Sequence, residues 1–547
     1  MAAARRHGVS TMFTLSGGHV FPLYDGAVKA DPPMRLVDVR HEQTAVFAAE
    51  ATARLTRAPG LAVVTACPGV TNGISAVTTA WFNGSPVVVM GGRAPDYRWG
   101  AGGLQEIDHP PLLAPVTKRA WTEHQARAVG AAVDEAFRLA TAPHRGPVFL
   151  DAAMEALFGD AGGEPPAEST GTPQAVAGPD PADVEAIASL IARSSRPVLV
   201  LGSDVWLGGA ETAAREAACE LRLPVVANGQ GRGVLPAGHE LRVTRARSAA
   251  FGEADLVLVA GTPLDFRLGY GAFGGRDGHD PAQVIHVADS ADHLATHAPL
   301  AASAAGDLGV FFTALASAVP AAMRQAGAAA RRWTDSWLPR LATAASQAIA
   351  ADQALLASDA DPIHPLRVYG ELARLLDDDA VVIGDGGDFV SFAGKYLEPK
   401  RPGGGLDPGP YGCLGTGLGY AIGARIARPS SPVVLLLGDG AAGFSLMDVD
   451  TLVRHRLPVV MICGNNGIWA LEKYPMQALY GYDVLADLQP GCRYDEVARA
   501  LGGGGETVTR PGDIGPALRR AFDACVPYLV NVITDPAVAY PRSTTGV

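Results

Sequence analysis

The chain has 547 residues, too many for a single hydrophobic core, and predicts three domains of about 180 residues. Its composition, 48% hydrophobic and 18% charged, is that of a globular protein, and a formal net charge of −12 opposes nucleic acid as a partner, because phosphate binding needs a basic face. No apolar stretch is long enough for a membrane span, so no membrane partner is expected.

From the amino end, Met1-Ala-Ala-Ala-Arg-Arg is not followed by a signal-peptide core, and a cytoplasmic location is the expectation. Between about residues 8 and 155, apolar runs at Met12–Leu15, Leu61–Thr65, Val87–Met90 and Val148–Leu150 read as strands alternating with helices. His19, after Gly17-Gly18, is a candidate acid or an ordinary capping histidine. Leu36-Val-Asp-Val-Arg-His leads from a strand into a helix with Glu42 in its first turn, where an acid complements the helix dipole without needing any other role. Val63-Val-Thr-Ala-Cys-Pro-Gly-Val-Thr-Asn72 is a strand entering a tight Pro-Gly turn. Residues 159–182, rich in Gly, Pro, Thr and acid, read as a linker.

In the second segment, about 183–318, strands are expected at Pro197-Val-Leu-Val-Leu-Gly, Leu223-Pro-Val-Val-Ala, Ala254-Asp-Leu-Val-Leu-Val-Ala-Gly and Gln283-Val-Ile-His-Val-Ala. An Ala-rich helical tract and Asp359–Pro365 lead into the third segment. Its strands are Ala380-Val-Val-Ile-Gly-Asp, Val433–Leu437, Pro458–Cys463 and Tyr528-Leu-Val-Asn-Val-Ile, with helical spacing over Phe444–His455. Alternation of this kind predicts parallel sheets covered on both faces. The cysteines at 67, 219, 413, 463, 492 and 525 have no metal-like or disulfide-like spacing and read as reduced thiols.

Gly438-Asp439-Gly440 ends one apolar strand and Asn465-Asn466 ends the next, which places Asp439 and Asn466 side by side at the edge where open α/β sheets bind ligands. Glycines let backbone N–H groups approach an anion, and Asp439 offers a hard oxygen ligand. Two oxygen ligands beside a glycine-lined anion site suit Mg²⁺ on a diphosphate.

This pattern resembles the thiamine-diphosphate motif. With it, Arg40-His-Glu-Gln, Pro68-Gly-Val-Thr-Asn72, Leu104-Gln-Glu-Ile-Asp108 and Pro115-Val-Thr-Lys118 look like the pyrimidine-binding domain of the acetolactate synthase-like thiamine-diphosphate enzymes. The resemblance covers nearly the whole chain. It implies an α/β protein of three doubly wound parallel-sheet domains: pyrimidine-binding (1–158), central (183–345) and diphosphate- and Mg²⁺-binding (362–547).

The resemblance also implies roles for residues. Glu42 becomes the catalytic carboxylate, bonded to N1′ of the aminopyrimidine so that the cofactor's own 4′-nitrogen takes the proton from a very weakly acidic carbon. Pro68 and Asn72 line the pyrimidine site. In Gly409-Pro-Tyr-Gly-Cys-Leu414-Gly, Leu414 is the wedge between the two rings and the Gly412 carbonyl accepts from the 4′-amine, although Leu414 also reads as a core leucine in a Gly-rich turn. The diphosphate would rest on Gly438, Gly440, Ala441 and Gly387-Asp388-Phe389, and Mg²⁺ on Asp439, Asn466 and the Ile468 carbonyl. Gln105 and Glu106 would face substrate. A homodimer or homotetramer with sites between chains is expected.

The reaction is less sharply indicated. Decarboxylation, ligation and cleavage share their first carbanion-forming step. Acetolactate synthases carry a Met-Val-x-Gln-Trp-like segment after the paired Asn, where this chain reads Gly467-Ile-Trp-Ala-Leu-Glu-Lys-Tyr-Pro-Met. The stretch from Gly443 to Pro458 and Ala246–Asp255 resemble 2-hydroxyacyl-CoA lyases and oxalyl-CoA decarboxylases. The short segment after Tyr540-Pro-Arg leaves little for a CoA lid. Cys67 replaces the usual Gly before Pro-Gly, and Trp469–Tyr482 reads as an aromatic lid that selects the acceptor. Gly261-Thr-Pro-Leu-Asp265-Phe-Arg267 lies where relatives hold FAD or ADP but departs from the flavin pattern, so nucleotide binding and a purely structural loop both stay open. The leading expectation is a carboligase acting on 2-oxo acids. The alternatives are an acyl-CoA lyase or decarboxylase, and a non-catalytic scaffold, which the intact Glu42, Asp439 and Asn466 oppose.

Overall fold

The computed structural model describes residues 1–162, 177–325, 332–397 and 399–540. Most of the expected linker at 159–182, part of the Ala-rich tract and the chain after Tyr540 lie outside the described residues.

Three parallel sheets form the molecule. The first joins β1 (Thr11–Thr14), β2 (Arg35–Asp38), β3 (Gly60–Val64), β4 (Val87–Arg93), β5 (Ala120–Glu123) and β6 (Val148–Ala153) in the order β2-β1-β3-β4-β6-β5. The central sheet joins β7 (Pro197–Leu201), β8 (Val225–Ala227), β9 (Leu256–Ala260), β10 (Gln283–Ala288) and β11 (Ala302–Ala305) in the order β11-β10-β9-β7-β8. The third joins β12 (Val381–Asp385), β13 (Gly405–Leu406), β14 (Val433–Gly438), β15 (Val460–Asn465), β16 (Gly504–Val508) and β17 (Tyr528–Ile533) in the order β13-β12-β14-β15-β17-β16. The inner strands are continuous apolar runs because helices cover both faces, so every side chain is buried whichever way it points. This is the α/β architecture of three doubly wound parallel sheets that the resemblance implied, with the covered parallel sheets that the alternation predicted.

The first and third domains share one apolar core, reaching from Phe13 and Phe47 to Leu435 and Leu529, while the central domain encloses its own. At the seam, helix Glu42–Thr56 lies against helix Thr416–Ala427. A Cβ on Gly423 would fall 2.2 Å from the Ala48 carbonyl oxygen, and one on Gly419 would fall 2.5 Å from the Phe47 Cβ. Glycine at both positions lets the backbones approach. The central domain meets this seam through polar bonds: the Trp206 indole N–H and the Gln230 amide both donate to the Arg54 carbonyl, at 2.7 and 3.2 Å.

The helix expected over Phe444–His455 is corrected. It starts at Asp439, directly after β14, and breaks into Asp439–Ser445, a 3-10 turn at Leu446–Asp448, and Val449–Arg454. The break turns Asp448 inward, where its buried carboxylate accepts from the Arg40 N–H at 2.8 Å and the Thr44 hydroxyl at 2.6 Å. The same bonds anchor the start of the Glu42 helix to the third domain.

Candidate functional site

The strands β12, β14 and β15 are adjacent, and their carboxyl ends open on one edge of the third sheet. Gly386–Phe389, Leu414, Gly438–Ala441, Gly464, Asn466 and Ile468–Glu472 line a cleft there. The structure therefore brings together Gly387, Asp388, Phe389, Leu414, Gly438, Asp439, Gly440, Ala441, Asn466 and Ile468.

Asp439 is the first residue of the helix that follows β14 and is 4% exposed. Its Oδ2 accepts from the Gly467 N–H at 2.7 Å and its Oδ1 from the Gly440 N–H at 3.0 Å. Burial pushes its carboxyl up to about 6, against the pull of these N–H groups. Asn466 Oδ1 accepts from the Ile468 N–H at 3.2 Å in a tight turn that Gly467 enables at φ +71°. A Cβ on Gly440 would fall 2.4 Å from the Trp469 ring, so only glycine fits beneath that indole, whereas Gly438 faces open space. A buried carboxylate bonded to backbone donors, an amide oxygen one strand away and a glycine-lined floor form a hard-oxygen set that suits Mg²⁺ and a diphosphate.

Asp385 supports the Leu414 turn. At the end of β12, fully buried, it accepts from the Gly415 N–H at 3.0 Å and the Gly417 N–H at 2.8 Å. Gly412 and Gly415 take positive φ of 70° and 86° on either side of Leu414, which presents the leucine on a tight loop. Asp388 accepts from the Tyr540 N–H at 2.5 Å, which ties the end of the described chain to the cleft.

The first domain carries a second constellation, whose residues do not line this cleft in the single chain. Glu42 opens its helix, is 8% exposed, and accepts from the Asn72 amide at 2.9 Å. Pro68 starts the short helix Pro68–Thr71. Gln105 sits at φ +60°, and the neighbouring Glu106 carboxylate accepts from the Gly100 and Gly103 N–H groups at 2.9 and 3.1 Å. Glu106 thus braces its own loop. His19 is buried, its Nδ1 lies 3.0 Å from the Thr65 hydroxyl, and burial lowers its pKa.

Sequence reasoning missed Asp385, Asp448, His109 and Asp151. Each is a buried polar residue with a partner far along the chain, and only Asp385 and Asp151, which follow the apolar runs of β12 and β6, carried a signal in the sequence.

Residues 1–112 match the N-terminal TPP binding domain of thiamine pyrophosphate enzymes, 184–315 their central domain, and 385–532 their C-terminal TPP binding domain. A probable acetolactate synthase of Mycobacterium bovis and the acetolactate synthase large subunit IlvG of Mycobacterium tuberculosis are each 49% identical over 544 residues, covering 98% of this chain and 95% of the relative. The 2-hydroxyacyl-CoA lyase 2 of Caenorhabditis elegans is 34% identical over 547 residues, covering 92% of this chain and 83% of its own.

Proposed function

This chain belongs to the thiamine pyrophosphate enzyme family, and from that premise we propose an acetolactate synthase-like carboligase acting on 2-oxo acids. The observation that carries the choice of reaction is the 49% identity with two acetolactate synthases over nearly the whole chain. The cofactor itself supplies the nucleophilic carbon and the electron sink. The chain's residues hold and aim it. Asp439 and Asn466, with the Ile468 carbonyl, would hold Mg²⁺. The N–H groups around Gly387–Phe389, Gly438, Gly440 and Ala441 would cradle the diphosphate. Glu42, which accepts from the Asn72 amide, would hold the pyrimidine ring at N1′, Pro68 and the Gly412 carbonyl would help hold that ring, and Leu414 would serve as the wedge. Gln105 faces the substrate. Because Glu42 and Asp439 lie in separate constellations of one chain, the proposed working unit is a homodimer or homotetramer with each site shared between chains. We assign the domains to 1–158, 183–345 and 362–547, and the location to the cytoplasm. No helix among the described residues is long and apolar enough to cross a membrane.

A second reading, a 2-hydroxyacyl-CoA lyase or CoA-linked decarboxylase, is favoured by one observation. A cleft of about 930 Å³ between the central and third domains is lined by Arg232, Arg245, Arg247, Arg267, Arg276 and Lys395. Burial, with Arg232 and Arg267 nearby, pulls the Arg247 guanidinium down to about 10, and a cluster of cations of this kind attracts an anion. For FAD or ADP, the fit is mixed. A cleft of about 550 Å³ at the ends of β7, β9 and β10 offers Ser203, Thr262, Lys118, Arg145 and Arg267, while Asp204 and Asp292, which also line it, set two acids against a diphosphate.

The test is incubation with thiamine diphosphate, Mg²⁺ and pyruvate, with and without 2-oxobutyrate, with acetohydroxy acids and CO₂ followed by mass spectrometry. Acetohydroxy acid product supports the carboligase. Carbon dioxide alone, or turnover that needs a 2-hydroxyacyl-CoA, moves the assignment to the second reading. Flavin absorbance and chromatography of the denatured supernatant test the central-domain nucleotide.

A further inference from the structure

Cys67 lies at φ +53°, ψ −103°, a backbone region that side chains avoid and glycine tolerates. It stands between β3 and the Pro68–Thr71 helix, so its conformation sets the direction in which that turn leaves the sheet. Its N–H donates to His109 Nε2 at 2.9 Å. That bond fixes the ring: an Nε2 that accepts carries no proton, so Nδ1 bears it and donates to Asp151 Oδ2 at 2.8 Å. His109 and Asp151 are both fully buried, so neither has water to turn to. Asp151 Oδ2 also receives Arg93 Nη1 at 3.4 Å, and the same Nη1 reaches Asp108 Oδ1 at 3.0 Å. A continuous set of bonds thus runs from the strained turn after β3, through the ends of β6 and β4, to the loop that carries Gln105.

We propose that His109 and Asp151 are a positioning pair, which holds Cys67 in its positive-φ conformation and so aims the Pro68 turn at the cofactor's pyrimidine ring and the Gln105 loop at the substrate. The pair acts through the backbone it restrains. Asp151 keeps the proton on Nδ1, and the free Nε2 lone pair takes up the Cys67 N–H. Without that acceptor the N–H is left unbonded and a conformation unfavourable for a cysteine loses its restraint, so the turn relaxes. The link to the pyrimidine ring rests on the cofactor reading above, while the restraint on Cys67 stands apart from it.

Two readouts test the pair in the full-length protein. The first is amide hydrogen exchange over Thr65–Gly73 without cofactor, and the second is thiamine diphosphate affinity by calorimetry in the presence of Mg²⁺. His109→Leu is expected to speed exchange in this segment and to weaken cofactor binding by about tenfold, the loss of one buried hydrogen bond. His109→Gln, whose Oε1 can take the Cys67 N–H, should recover most of both. In a Cys67→Gly background, where the backbone holds positive φ unaided, His109→Leu should weaken binding by well under half as much. Unchanged exchange in His109→Leu overturns the pair. An equal loss of affinity in both backgrounds also overturns it, because His109 would then be packing alone. If His109→Leu does not fold, His109→Gln and Asp151→Asn carry the exchange comparison. If the unaltered protein binds no thiamine diphosphate, the cofactor reading falls and with it the pair's aim at the pyrimidine, while the exchange result still decides whether His109 restrains Cys67.

Discussion

The Tyr420 hydroxyl donates to Glu50 Oε2 at 2.9 Å, joining a helix of the first domain to a helix of the third. Glu50 is fully buried, and its Oε1 accepts from the Asn83 amide at 2.8 Å and the Ser85 hydroxyl at 3.0 Å. Burial raises its pKa, while Arg54 and these donors pull it back. Tyr420→Phe keeps the ring that packs edge-on against Phe47 and removes one bond to a buried acid, a cost of about 1–3 kcal/mol. A melting temperature lowered by a few degrees is the expected outcome. An unchanged value would mean that the bond adds nothing to the seam.

Asp385 gives a pH signature. Burial pushes its carboxyl up to about 7 from 3.8, against the N–H groups of Gly417, Gly415 and Thr416. The folded state then holds this proton over a window in which the unfolded chain has released it. Its contribution to stability is therefore largest at the acid end of that window and is lost as pH rises to about 7. Asp385→Asn has no proton to lose, so its melting temperature should fall less steeply than that of the unaltered protein across this range. Parallel curves would remove the assignment.

Glu42→Gln separates holding from catalysis. The amide oxygen can still accept from Asn72, so the fold and the thiamine diphosphate affinity should persist. Turnover should drop by about 10²- to 10⁴-fold, the range of a lost acid–base group. Steady-state kinetics beside calorimetry decides it, and retained turnover would remove Glu42 from the chemistry.

Trp469 covers Gly440 and opens the helix Ala470–Tyr480 at the rim of the cleft. We expect Trp469→Ala to change the ratio of the products formed with pyruvate alone and with 2-oxobutyrate by about tenfold, the scale of a pocket contact. An unchanged ratio would end the idea that this segment selects the acceptor.

Central strands were readable because burial on both faces writes them as unbroken apolar runs, as in β14 and β15. The edge strands β5, β13 and β16 were not readable: Ala120–Glu123 is half-exposed throughout, Gly405–Leu406 is two residues long, and Gly504–Val508 opens with glycines. Alanine hid β11, whose Ala302–Ala305 has no contrast with the helices around it. The glycine-lined cleft was legible from Gly438-Asp439-Gly440 and Asn465-Asn466, since short-range turn chemistry recurs at fixed offsets. The supports of the site were not. Asp448 holds Arg40 and Thr44, and His109 holds Cys67, through bonds that span distant segments and leave no period in the sequence.

The core shared by the first and third domains makes them a single body encoded in two distant stretches, with the central domain spliced between. A genetic crossover that parted the outer stretches would strip apolar cover from both at once. One that exchanged the central domain would leave that core whole and would have to restore the contacts across the seam, among them Arg54 with Trp206 and Gln230, Arg57 with Glu211 and His144 with Asp289. The central domain is therefore the part that such an exchange could replace while the apolar core of the outer two stretches stays whole.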